Sequence, residues 1–246
     1  MDWAIISAAA FIIALASVLR GVTGFGFAVV ATPLLALVLP PSVAVPVSML
    51  LQIPAGLPIV ITDWADTDFR IASIMFATSL PALIPGFYIL AHASADVMRL
   101  IVGMTVVVST VFLASGVRLD RPPRTSELFA AGAVSGLMQG AVAMSGPPVV
   151  VLFLASSWPI ARCRATLSFF FLLLAVATLI VAFLSGLMTG DAGVIAIAGL
   201  PGLLVGQFLG ARIFTRIDAR RYRLISVLSV AATGLFVMIK GLAPYF

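Results

Sequence analysis

The sequence predicts an all-α integral membrane protein, and three observations carry that prediction. Of its 246 residues, 62% are apolar and 9% are charged, against about 25% charged in an ordinary soluble domain. Apolar runs of roughly 20 residues, the length that spans a bilayer core as a helix, recur along nearly the whole chain with only short charged punctuation between them. The runs also fall into two sets that share glycines, prolines and serines at matched places.

In order, the runs cover residues 3–19, 21–39, 42–62, 69–91 and 97–117, then 128–144, 147–158, 165–187, 194–213 and 224–242. Met1-Asp2-Trp3 places no basic residue before the first run, so the first segment is expected to stay in the mature protein and not to be cleaved as a signal peptide. Leu80-Pro81 with Gly86 matches Leu200-Pro201 with Gly206, and the same offset relates Ser48 to Ser168. A slightly shorter offset relates Gly21 to Gly136 and Pro33 to Pro148. Residues 1–120 and 125–246 are therefore expected to be N-terminal and C-terminal transmembrane repeats of one membrane domain, joined by Arg118-Leu119-Asp120-Arg121-Pro122-Pro123-Arg124. Paired repeats of this kind are typical of secondary transporters.

The first two runs of each half abut without a polar loop. Their junctions, Arg20-Gly21-Val22-Thr23-Gly24-Phe25-Gly26 and Gly136-Leu137-Met138-Gln139-Gly140, are rich in glycine and read as a broken helix or a re-entrant hairpin. Each repeat then holds one such hairpin plus three transmembrane helices, about eight membrane segments in all. Charge placement decides between parallel and inverted repeats. If both hairpins enter and leave on one side, Arg70, Arg118, Arg121, Arg124, Arg162, Arg164, Arg212, Arg216, Arg220, Arg221 and Arg223 all face the cytoplasm, and only Arg99 and Lys240 lie outside. Two inverted repeats are expected on that ground.

Function is bounded by what is missing as much as by what is present. Cys163 and His92 are the only cysteine and histidine, so no metal cluster and no Ser-His or Cys-His catalytic group is expected, and no cofactor. The formal charge of +5 comes from arginines beside apolar runs, which fits lipid-facing loops and not a nucleic-acid surface. Arg20 is the informative residue. It sits between two apolar runs, where a charge costs at least about 2.5 kcal/mol, and all nine acidic residues lie at the N-terminus or between helices. An anionic substrate, backbone carbonyls or water must compensate it. Gly21, Thr23, Gly24, Phe25 and Gly26 form the first half of the expected binding site, where a restarting helix offers free N–H groups to an oxyanion. Gln139, Gly140, Ser145, Gly146 and Pro147 form the second half, with Pro147-Pro148 suited to a helix start. Ser48 and Ser168 join the site as a matched pair, with Gln52 beside them. Gly202, Gly206 and Gly210 are read as packing glycines.

These glycine and proline patterns resemble the TauE/SafE family of sulfite exporters. The resemblance lies in the duplicated segments 21–33 and 136–148, in Gly146-Pro147-Pro148, in Arg162-Cys163-Arg164-Ala165-Thr166 and in Gly206-Gln207-Phe208-Leu209-Gly210, and it covers essentially the whole chain. It implies a multi-pass permease of the bacterial inner membrane for sulfite, organosulfonates or similar sulfur-containing anions. Phe25-Gly26-Phe27 stands where many members carry a run of glycines, which favours an organic sulfonate over bare sulfite. Export is the expected direction, because a monoanion leaving a negative interior gains about 2.3 kcal/mol per 100 mV without a coupling ion. Alternating access is the expected mechanism, with an anion channel and an uptake permease for another organic anion as alternatives. The partners expected are a small anion and the lipid bilayer, with a homo-oligomer left open.

Overall fold

A computed structural model describes residues 3–23, 27–94 and 121–216, with isolated positions between 97 and 111 and at 224 and 228. Runs 97–117 and 224–242 therefore lie mostly outside the described residues. What is described is helical: α1 (Trp3–Thr23), α2 (Phe27–Val38), α3 (Pro41–Thr62), a single 3-10 turn at Trp64–Asp66, α4 (Phe69–His92), α5 (Thr125–Val142), α6 (Gly146–Ala155), α7 (Ile160–Leu184) and α8 (Gly190–Phe214). Five of them, α1, α3, α4, α7 and α8, are long and apolar enough to cross a membrane. The 12 residues of α2 and 10 of α6 rise only about 18 Å and about 15 Å, short of a hydrocarbon core about 30 Å thick. Each short helix follows a longer one and packs against it.

Local chemistry sets the helix starts. Pro41 opens α3 in the first turn, where its missing N–H is not needed. Asp68 caps α4 by accepting from the Ile71 N–H at 3.1 Å, and Thr189 caps α8 by accepting from the Ala192 N–H at 3.3 Å. Ahead of α5, the Glu127 carboxylate accepts from the Arg124 N–H at 2.8 Å and from two Arg121 nitrogens at 3.0 and 2.5 Å, which ties the linker to the helix it precedes.

The most extensive helix contacts are α1 on α8 and α4 on α5. Glycine meets glycine at both. A Cβ on Gly21 would stand 2.8 Å from the Gly210 Cα, and one on Gly140 would stand 3.0 Å from the Gly86 Cα, so neither crossing tolerates a side chain. Contacts climb together along α1 and α8, from Ile13 with Gly199 to Val18 with Gly210, and along α4 and α5, from Met75 with Gly132 to Leu83 with Gly140; both pairs run parallel. In contrast α3 and α7 run antiparallel, with Gly56 beside Leu172 and Asp63 paired to Arg164. The outward faces carry Phe11, Ile84, Phe183, Leu184 and Ile197, apolar surface that a bilayer covers.

The first junction falls within the glycine-rich stretch expected, between Thr23 and Phe27, whereas the second lies beyond its glycines. Arg20 and Gly21 are inside α1, which continues to Thr23, and the gap before α2 is residues 24–26, outside the described residues. Gly136, Gln139 and Gly140 are inside α5, and that break comes at residues 143–145. Open backbone is costly in hydrocarbon, so glycine alone does not end a helix there; its want of a side chain is used for close crossing instead. Gly206 and Gly210 do pack in this way, as expected. Gly21 meets Gly210 across α1 and α8 as Gly140 meets Gly86 across α5 and α4. Pro33 lies in mid-helix and Pro148 in a first turn, so that pair is not equivalent.

Gly140→Val is expected to lower the stability of the detergent-purified protein by about 1–3 kcal/mol through overpacking. Gly193→Ala, where an added Cβ meets nothing within 4 Å inside α8, is expected to raise the unfolding temperature slightly, alanine being the better helix former. Thermal unfolding of the two variants side by side checks the contrast.

Candidate functional site

Arg20 is 4% exposed near the end of α1, and its Nε donates to the Ala55 carbonyl of α3 at 2.9 Å. That carbonyl also accepts from Gln207 Nε2 of α8. A carbonyl oxygen has two lone pairs, so it can accept from both. Pro54 and Pro58 lie on either side of Ala55 in α3 and, lacking an N–H, leave the carbonyls of Leu50 and Pro54 without their helical donors. Backbone carbonyls were among the compensating groups expected for Arg20, and one of them fills that role.

On the other half, α5 ends in a left-handed turn at Ala143, with φ 58° and ψ 22°. The Ala143 N–H bonds the Gln139 carbonyl at 3.0 Å and the Met144 N–H reaches the Met138 carbonyl at 3.4 Å, a glycine-type helix ending made by alanine. A left-handed alanine costs about 1–2 kcal/mol. What it gains is direction, since the Ala143 carbonyl turns toward α3 and accepts from Gln52 Nε2 at 3.0 Å. Gln52 Oε1 in turn accepts from Gln139 Nε2 at 2.9 Å. One buried glutamine thus ties the break in the second half to a helix of the first.

Between these groups lies a cavity of about 20 Å³, counted as positions open to the centre of a water molecule, lined by Arg20, Gln52, Ser145 and Gly146 with Phe27, Ala28, Val29, Ala143, Met144 and Phe171. A single water needs about 10–15 Å³ on this measure, so the space is small. Its described lining holds one cation and no carboxylate. Gly146 opens α6, so the positive end of that helix faces the cavity. Pro147 and Pro148 carry no N–H, which leaves Gly146 as the backbone donor of the first three residues.

Four expected site residues, Arg20, Gln52, Ser145 and Gly146, therefore meet at one cavity, and Gln139 is bonded to one of them. Gly21 and Gly140 do not line it; they are crossing glycines, buried under α8 and α4. Pro147 is buried one residue behind Gly146. Ser48 and Ser168 are fully buried on α3 and α7 without lining the cavity. Thr23 ends α1, and Gly24, Phe25 and Gly26 lie outside the described residues. Phe27 does line the cavity, in keeping with the aromatic character read at that junction. Sequence reasoning missed Ala28, Val29, Ala143, Met144 and Phe171, apolar residues with no chemical signal of their own. It also missed Arg164, assigned to a cytoplasmic loop but 5% exposed inside α7, and the role of Gln207, whose signal was an amide in an apolar run.

Long apolar helices, with two short helices that start beside a buried cationic cavity, describe a multi-pass membrane protein. The sulfite exporter TauE/SafE family matches residues 9–237, nearly the whole chain, and the protein belongs to that family. Among curated proteins and among solved structures nothing matches it.

Gln52→Leu is expected to destabilise the protein by about 1–3 kcal/mol, because it strands the Gln139 amide and the Ala143 carbonyl without partners. Gln52→Leu combined with Gln139→Leu is expected to cost less than the two single changes added together. Unfolding curves for the three variants give the coupling directly.

Proposed function

We propose that this permease carries a small sulfur-containing anion, sulfite or a short organosulfonate, through the cavity beside Arg20, in the outward direction and by alternating access. The observation that carries this reading is a buried guanidinium facing a small cavity whose described lining holds no acid. A cation in an apolar interior is tolerable when carbonyls hold it at rest and an anion joins it in passage. Arg20 provides the charge, Gln52 and Ser145 provide hydrogen bonds, and Gly146 provides a backbone N–H at a helix start. Phe27, Met144 and Phe171 form an apolar wall suited to a short carbon chain beside the sulfonate.

Rocking of two inverted repeats is the motion proposed, with residues 1–120 and 125–246 as the units and their broken hairpins meeting at the site. Its support is the pairing of helices. Exchanging α1 with α5, α2 with α6, α3 with α7 and α4 with α8 maps each major contact onto another, while the counterparts α3 and α7 run in opposite directions. Location in a bacterial inner membrane follows from the same reading.

In proteoliposomes holding an imposed potential, Arg20→Ala is expected to cut saturable sulfite and sulfonate flux by about tenfold to a hundredfold, the worth of one charge-assisted hydrogen bond. Interior-negative potential is expected to speed efflux from wild-type vesicles. Flux indifferent to Arg20 would overturn the assignment of the site.

A further inference from the structure

One residue beyond Arg20, the Gly21 carbonyl accepts from a second buried arginine. Arg164 NH2 lies 3.4 Å from that oxygen, its guanidinium stacks 4.1 Å from the Phe214 ring, and NH1 pairs with Asp63 Oδ2. Four elements converge on this one pair: the C-terminal ends of α1, α3 and α8 and the first turns of α7. Asp63 stands eight residues beyond Ala55 on α3, about 12 Å of helical rise from the carbonyl that holds Arg20.

We propose that Asp63 and Arg164 form the gate that closes the Arg20 cavity on the side of the 63–68 loop, and that a passing anion opens it by taking the place of the Asp63 carboxylate on Arg164. This inference rests on the anion-permease reading above. Three features support it. The pair joins the loop after α3, in the first half, to α7, in the second, so any relative motion of the halves has to part it. The neighbouring contacts join the same two sides: Arg162 to Asp68 at 2.8 Å, the Asp68 N–H to Thr166 Oγ1 at 2.9 Å, and the Phe169 ring to those of Trp64 and Phe69 at 5.8 and 5.1 Å. Arg162 is half-exposed, whereas Arg164 is buried, and only a buried cation is costly to leave unpaired. An anion in transit removes that cost, because the guanidinium exchanges one negative partner for another. The α1 carbonyl end holds Arg164 in place during the exchange.

The test is site-directed labelling. An Ala28→Cys reporter on the cavity wall, in a Cys163→Ala background, is exposed to a membrane-impermeant maleimide in vesicles of known orientation. Asp63→Asn is expected to speed labelling from the loop side by about tenfold, the shift given by one lost charge-assisted hydrogen bond. Labelling from the opposite side is expected to stay unchanged. The swapped pair Asp63→Arg with Arg164→Asp is expected to return labelling to the slow rate. An unchanged rate in Asp63→Asn, a rise from both sides alike, or a swap that labels as fast as Asp63→Asn would overturn the gate. Labelling requires no transport, so the two readings fail separately. If sulfonate flux is absent while labelling follows Asp63, the gate stands around a site with other cargo. If flux follows Arg20 while labelling ignores Asp63, the gate alone is lost.

Discussion

Hydrocarbon offers no hydrogen bonds, so every polar backbone group at membrane depth has to find its partner inside the protein. That constraint explains where this chain is regular and where it departs from regularity. The long helices satisfy themselves. The departure at Ala143 and the proline-bearing stretch of α3 sit inside the bundle, where side chains from other helices reach them. Gln52 serves the Ala143 carbonyl, and Arg20 and Gln207 both serve Ala55. At Ala143 irregular backbone and a buried polar side chain thus occur together, each meeting the other's need.

The same economy governs charge. Among the described residues two arginines are buried inside the bundle, and they are held differently. Arg20 rests on a carbonyl, which is dipolar and leaves the net positive charge available to an anion. Arg164 rests on Asp63, so its charge is already balanced. The first lines a cavity and the second lies in an ion pair, so one positive site is open and the other is covered by an internal counter-ion. The glycine crossings set the frame for this arrangement. Gly21 against Gly210 brings α1 close enough to α8 that Arg20 and Gln207 reach one carbonyl of α3, and a Cβ at either glycine would push the two apart.

Much of this was legible in the order of the residues. Composition alone dictated membrane helices, because a chain 62% apolar has too little polar surface to face water. The cost of a charge in lipid singled out Arg20, and the two abutting runs in each half announced short helices. Four of the polar and glycine positions chosen for the site do surround one cavity. Glycine, however, has two uses in a membrane helix that look identical in sequence, loosening the backbone and admitting a neighbour. The choice between them depends on what lies opposite, which no local pattern states. Gly21 and Gly140 were read as loosening and turned out to admit α8 and α4, and the second break lies a few residues beyond Gly140, at residues 143–145.

Arg164 marks the same limit for charge. Beside Arg162 it has the look of a loop arginine, and burial depended on the distant Asp63 and Phe214 closing around it. The sequence by itself determined the solvent, the class of element and the chemistry on offer, because these follow from composition and from the cost of polarity in lipid. Tertiary structure alone decided which glycines are seams, which carbonyl holds Arg20 and which carboxylate holds Arg164. Those depend on contacts between residues far apart in the chain, whose meeting is set by how whole helices pack.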